Sequence, residues 1–320
     1  MDALIEPEQV SPGHRSRAKA RFEAIDGVLL LDKAVGASSN AALQRARGLL
    51  NARKAGHTGT LDPLASGLLP LTFGEATKFS SDLLDADKCY EARLVLGIST
   101  STADAEGEVI RSGPVEVTQV QFESMLSRFA GTILQVPPMH SALKRDGRPL
   151  YQLARRGIEV ERTARAVAIR RLWTIAWDRL QPTIGVECGK GLYVRTLAED
   201  IGAALGCGAH LGALRRTRVG AFEVSEAIGL EQLEQLSMGQ RRDRLLPVDA
   251  LLQSLPRVDL DLQASEQLGH GQRIACGAIG AQRARVYGPQ GRLLGVATVD
   301  HGMLTARRLL SQAQVLESEQ

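Results

Sequence analysis

Apolar and polar positions along this chain fall into runs of two different periods. GVLLLDK (27–33) is continuously apolar until it ends in charge, the pattern of a buried strand. From Ser38 or Ser39 to Asn51 the apolar residues Ala42, Leu43, Ala46, Leu49 and Leu50 recur at helical spacing, and the serine supplies a cap. GEATKFSSDLLDADK (74–88) predicts a second helix, with Ala76, Phe79, Leu83 and Leu84 on one side. CYEARLVLG (89–97) alternates as a strand, turning Tyr90, Ala92, Leu94 and Leu96 to one face and Glu91 and Arg93 to the other. Thr118 opens a helix carrying Phe122, Met125, Leu126 and Phe129 that ends near Gly131. Asp146-Gly147 is a hairpin-type turn, and Pro149 to Arg156 is a short helix stopped by Gly157.

Strands are predicted at 165–178 and 182–188, followed by a glycine turn and a helix with Leu197, Ile201 and Leu205 inward. Pro247 to Pro256 reads as a connector, and the last 65 or so residues as short strands with glycine turns. The order is mixed α/β without the strict βαβ repetition of a doubly wound sheet.

Composition adds little until its distribution is considered. The 320 residues, 44% hydrophobic with mean hydropathy −0.09, suit a soluble globular protein. Every apolar run is cut by charge or glycine within about ten residues, short of the roughly 18 a membrane span needs. The N-terminus lacks the basic start and apolar run of a secretory signal, so a cytoplasmic location is expected and no membrane contact. Cys89, Cys188, Cys207 and Cys276 and six dispersed histidines show no metal-binding spacing, so no metal is expected. Net charge is only +3, but residues 135 to 171 carry nine basic residues against three acids. A second cluster, Arg215, Arg216 and Arg218, follows in LRRTRVG. Together they suggest a phosphate-binding surface.

Among chemistry-bearing motifs, GKG (189–191) lacks the glycine and Ser/Thr of a phosphate loop, and no dinucleotide fingerprint or nucleophile elbow is present. GHTGTLDPLASGLLP (56–70) remains: one acid, Asp62, in a loop stiffened by Pro63 and turned by Gly56 and Gly59. Such a loop presents its carboxylate in one orientation, as nucleophile, base or ligand. Asp before Pro is also a favoured helix cap, so local pattern leaves Asp62 between capping and chemistry.

GHTGTLDPLASGLLP, with GVLLLDKAVGASSN, GEATKFS, DKCYEARLVLG, SALKRDGRPLY and GKGLYVRTLAEDIGAALGCGAHLGALRRTRVGAF, resembles the tRNA pseudouridine synthase B (TruB) family of bacterial type. The likeness runs in order from about Asp26 to Arg308. It implies an isomerase acting on uridine 55 in the T-loop of tRNA: the base is flipped, the glycosidic bond opened, and C1′ rejoined through C5, with no cofactor. It implies a large mixed, mainly antiparallel sheet flanked by helices in a catalytic domain (25–250) and a small β-rich PUA-like RNA-binding domain (251–320); the polar stretch before them (1–24), with Pro7, Pro12 and Gly13, lies outside the likeness and reads as a mobile tail.

By the same resemblance Asp62 matches the catalytic aspartate, and Arg195 the arginine paired with it. Tyr90 matches the tyrosine against the target base, which helps take the C5 proton. His57 matches the histidine associated with flipping, Tyr193 and Leu214 match nucleotide contacts, and Lys33 and Lys78 match basic positions near the site. Lys144, Arg145, Arg148, Arg155 and Arg156, in a basic insertion at about 135–171, are expected to grip the RNA backbone, with Arg215 and Arg216. The partner implied is the T-arm and T-loop of tRNA, bound by a monomer with no obligatory protein partner. One departure is Ala34, where the family commonly has proline. Two rival readings are a tRNA-binding folding factor without catalysis, and an enzyme of the same fold acting on other RNA with guide RNA and partner proteins.

Overall fold

A computed structural model describes residues 22–311 apart from 142, 146, 155, 278, 279 and 281. The expected tail, 1–24, lies almost wholly outside the described residues. Where the chain enters, Glu23 bridges to Ala52, and Arg47 stacks over the Phe22 ring at 4.8 Å.

The main sheet runs, in spatial order, Ile228–Gly229, Gly27–Lys33, Ala65–Phe73, Ala209–Val219, Lys88–Leu96, Thr183–Cys188, Arg165–Ala176 and Gly131–Gln135. Pairing is antiparallel except where Ala209–Val219 meets Ala65–Phe73 and Ile228–Gly229 meets Gly27–Lys33. This is the mixed, mainly antiparallel sheet that was expected. The 27–33 strand is buried along nearly its whole length, as its unbroken apolar run required. The 39–49 helix is capped by Ser38, whose hydroxyl accepts from Ala41 N. Thr118 and Gln121 close a reciprocal capping box on the Gln119–Ser127 helix.

Three departures bear on the site. Residues 74–88 do not form one helix: a 3₁₀ turn over Gly74–Phe79 gives way to a short α-helix, Ser80–Leu84. Thr77 and Ser80 hydroxyls donate to the carbonyls of Gly74 and Thr77, competing with the helical ladder. Lys88 then ends the segment by donating to the carbonyls of Leu83, Leu84 and Ala86. Second, AHLGALRRTRV (209–219) is a strand in the middle of the sheet, not an exposed basic cluster. Third, Ile98–Thr100 and Val109–Ser112 form a small antiparallel ladder that positions the turn between them.

Two cores lie on one face of the sheet. Helix Val194–Ala204 sets Leu197, Ala198 and Ile201, with Phe122 and Leu126, against Ala92, Leu94, Ile184 and Val186. Helix Ser39–Leu49 sets Ala42, Leu43 and Ala46 against Leu29, Leu31, Leu69 and Leu71. Each fully buried Leu, Ile or Phe contributes about 1.5–3 kcal/mol, so the cores hold both helices in place. Tyr90 and Leu214 pack against both cores, at the seam.

Gly202 seats the first of these helices. A β-carbon there would lie 2.2 Å from Ala209 N and 2.5 Å from Ala209 Cβ, so the helix lies directly on the start of the central strand. Gly202→Ala is expected to lower stability by about 2 kcal/mol in urea unfolding; an unchanged midpoint would show that the helix is not seated by this contact.

On the opposite face Val28, Leu30, Leu68 and Val219 pack with Phe79, Leu251, Leu252 and Val296. The stretch read as a connector thus holds a buried turn, Val248–Leu252, beneath a separate C-terminal sheet ordered Arg257–Asp259, Gln282–Tyr287, Leu293–Asp300, Met303–Leu309 and Ile274–Ala275. Tyr287 donates to Asp249 at 2.7 Å and Arg283 pairs with Asp82 at 2.7 Å, tying that sheet to the rest.

Candidate active site

The loop that carries Asp62 is fastened at almost every residue. Thr58 bonds through N and Oγ1 to Pro70 O. The Ser39 hydroxyl, buried at the start of its helix, accepts from Leu61 N at 2.8 Å and donates to Leu61 O at 2.9 Å. Gly36 N reaches Pro63 O at 2.8 Å. Ala65 N donates to the main-chain carbonyl of Asp62 at 3.0 Å, so the carboxylate is not used as a cap.

That carboxylate is 42% exposed and meets Arg195, with Nε 3.1 Å from Oδ2. Arg195 stands in the first turn of its helix and is only 6% exposed. Its other nitrogens are also engaged: Nη1 lies 3.3 Å from Asp104 Oδ2, and Nη2 donates to His140 O at 2.7 Å.

Asp104 is a second acid that sequence reasoning missed, because it lies outside the loop that carries Asp62. It is buried, accepts from Thr102 Oγ1 and Glu106 N, and is held by Thr100 Oγ1 donating to its carbonyl. Its only local signal is a Thr-x-Asp-x-x-Gly turn, which reads equally well as an ordinary surface turn. Although partly exposed, Asp62 is surrounded by enough protein that desolvation pushes its carboxyl above the usual carboxylate range, and Asp104 adds to this, while Arg195 and then Lys33 oppose it.

The other expected residues divide into those near this pair and those elsewhere. Tyr90 and Leu214 are inward-facing neighbours on the strands beside the loop, and Leu214 is in register with Ala65. Tyr193 precedes the Arg195 helix, and its main chain exchanges hydrogen bonds with the buried Gln135 amide at 2.8 and 3.1 Å. His57, on the short strand before the loop, has a buried Nδ1 without a partner among the described residues. Burial, with the Arg216 charge adding, holds its imidazole below the ordinary value, so the ring is neutral at pH 7.

Four of the expected basic residues already have partners within the chain, and burial overturns the expectation for Arg216. Lys33 is fully buried and donates to Ala34 O and Ala37 O, so it closes the turn at Ala34 and contributes charge to the site without reaching a substrate. Lys78 binds Glu75, Leu309 O and Ser311, and so fastens the C-terminal segment. Arg216 is 2% exposed and cannot meet an RNA backbone. Arg215 is engaged by Asp32 through two bonds, on the opposite side of the strand. Strand alternation splits this cluster between two faces.

In the basic insertion, Lys144–Arg145 and Arg148–Pro149 form a two-residue hairpin ladder with Gly147 at positive φ, followed by helix Leu150–Ala154. Arg148 and Arg156 are exposed, and Arg155 lies outside the described residues. No group of three or more His, Cys, Asp or Glu residues among the described residues is arranged to hold a metal. No helix among them is long and apolar enough to cross a membrane.

Family models match the chain as a TruB family pseudouridylate synthase N-terminal domain over residues 47–194, and as tRNA pseudouridylate synthase B and TruB C-terminal domains over 195–253 and 256–310. The chain belongs to the TruB family. It is 57% identical over 304 residues to tRNA pseudouridine synthase B of Ralstonia nicotianae, covering 92% of this chain and 97% of that one. The Dechloromonas aromatica protein of the same name is 55% identical over 296 residues, covering 92% and 99%.

Among solved structures, a chain in the crystal structure of a Cbf5-Nop10-Gar1 complex superposes with TM-score 0.67 at 25% identity, over 93% of this chain and 82% of that one. A chain of an H/ACA RNP bound to a substrate RNA containing 2′-deoxyuridine shares the fold, with TM-score 0.67 at 22% identity over 91% and 86%. As a TruB-family member the protein is an isomerase that converts uridine to pseudouridine.

Proposed function

We propose that this TruB-family enzyme acts on tRNA, isomerising uridine 55 of the T-loop, with Asp62 as the group that opens the glycosidic bond. The observation that carries the reading is the Asp62–Arg195 pair, placed at the end of an apolar seam walled by Tyr90 and Leu214. A uridine leaves its stack to reach such a carboxylate, and an apolar seam with flat side chains receives a flipped base. The neutral imidazole of His57, beside the loop, suits a role in propping the vacated space without adding charge.

Asp62 acts as carboxylate, and Arg195 orients it by a charge-assisted bond. The base then turns within the seam, C1′ rejoins through C5, and Tyr90 receives the C5 proton. Tyr193 adds to the nucleotide contacts. The exposed Arg148 and Arg156, with Lys144, Arg145 and Arg155, hold the backbone of the T-arm, and the C-terminal sheet serves as a PUA-like extension of that contact. The protein works as a cytoplasmic monomer without cofactor.

The test is tritium release from tRNA labelled at uridine C5, using a U55 transcript, a U55C transcript and a T-arm minihelix. Release is expected from the first and third. Equal release from the U55C transcript would overturn the position, and none from any of the three would overturn tRNA as the substrate.

A further inference from the structure

Three arginines lie close together on the central strand, and two of them have carboxylates. Arg215 pairs with Asp32 and Arg218 with Glu187, both half-exposed on the outer face. Arg216, turned the other way, is nearly fully buried and has no ion pair among the described residues. Its guanidinium donates through Nε to Leu68 O at 2.7 Å and through Nη2 to Gly59 O at 3.2 Å. Those carbonyls stand on either side of Asp62 in the chain, so one side chain fastens both ends of its loop. Backbone packing leaves no slack: a β-carbon on Gly67 would lie 2.2 Å from Arg216 O.

A buried cation without a counter-charge is unfavourable, and here positive neighbours add to that. Its charge is felt by Lys33 on the first strand, by Lys88 on the strand beside it and by His57, each of which burial, with this charge adding, holds below its ordinary value. Tyr90 is its register partner across the strand pair. Carbonyl acceptors offset part of the desolvation but supply no negative charge. The arrangement therefore favours a negative charge beside the guanidinium, and the group placed to carry it is the Tyr90 oxygen.

We propose that Arg216 is a positioning residue of the reaction: it bolts the Asp62 loop and holds its charge against Tyr90, so that the Tyr90 oxygen accepts the C5 proton as phenolate. This rests on the role given to Tyr90 above. In the step, the phenolate oxygen takes hydrogen from C5 of the reattached base and becomes phenol. The C5–H electron pair forms the C5=C6 double bond. The N1=C6 pair moves to N1, which takes a proton from solvent, and the phenol later returns its own proton to solvent.

Burial pushes the Tyr90 phenol above its ordinary value, and Arg216 is the first group opposing that, with Cys188 and Asp62 acting in the same direction as burial. Loss of the Arg216 charge therefore moves the phenol further up.

The experiment measures single-turnover pseudouridine formation on the T-arm minihelix from pH 6 to 9, with minihelix affinity measured in parallel. Wild type, Arg216→Met, Arg216→Lys, Tyr90→Phe and the Arg216→Met/Tyr90→Phe double variant are compared. Arg216→Met is expected to slow the reaction roughly 10²-fold with affinity within about threefold, and to move the rising limb of the pH profile to higher pH. Arg216→Lys should recover at least about tenfold, and the double variant should be no slower than the slower single.

Multiplying losses in the double variant, or an Arg216→Met profile at wild-type rate and pH, would overturn the proposal. Should Arg216→Met fail to fold, Arg216→Lys decides: a displaced limb supports the proposal, and a wild-type profile overturns it. Failure of the underlying reading shows separately, as full activity of Tyr90→Phe or as no product from wild type.

Discussion

Asp62→Asn is expected to abolish pseudouridine formation, by roughly 10⁴-fold or more, while minihelix affinity stays within a few-fold of wild type. The substitution keeps the shape of the side chain, and the loop is held by main-chain bonds and by Ser39, none of which involves the carboxylate. Only the ionisable oxygen is lost. Single-turnover tritium release with a parallel filter-binding measurement separates the two effects. Retained release would remove Asp62 from the chemistry, and a parallel collapse of binding would make it a binding residue instead.

Arg195→Met should have the second largest effect, and in three measurements at once. The residue bridges Asp62, Asp104 and the His140 carbonyl from a buried position, so its loss leaves Asp104 buried without its cation. Removing one partner of a buried pair costs about 3 kcal/mol, to be seen in urea unfolding. The reaction rate should fall by roughly 10²–10³-fold, because the guanidinium orients the reacting carboxylate. The sign of the pH effect follows from the surroundings of Asp62. Burial and Asp104 raise its carboxyl and Arg195 is the first group lowering it, so removal raises it further. Activity needs the carboxylate and is lost as pH falls through that value; the acid limb of the variant should therefore lie at higher pH than that of wild type. A limb that stays in place would mean that Arg195 does not set the charge on Asp62.

Elements with one dominant signal were legible in the sequence. The 27–33 strand carried an unbroken apolar run, and the 39–49 and 194–204 helices had apolar residues at helical spacing with an identifiable start. The 209–219 strand was not, because arginines at 215, 216 and 218 outweighed its apolar positions. Nothing local distinguishes an arginine facing solvent from one whose donors find two carbonyls inside the fold, as Arg216 does with Leu68 and Gly59. The 74–88 segment had a helical period, but hydroxyl-to-carbonyl bonds that no period reports divide it.

The site divided in the same way. Asp62 stood out because its loop is stiff, and Tyr90 because strand phase turned it inward; what each does came from family likeness. Lys33 was placed near the site by likeness, yet its buried position and use in a turn follow only from three dimensions. Asp104 was invisible because its meaning lies in an arginine on a distant helix.

That arginine also carries the root of the basic insertion, through the His140 carbonyl. The segment that would close on a long polyanion and the carboxylate that would act on one nucleotide are thus hung from a single planar group. A displacement of the first that breaks the His140 bond removes one of the contacts that fix the guanidinium orienting the second. Grip and reactivity share a latch, so a poorly seated RNA would meet a slackened carboxylate even with the correct uridine in the seam.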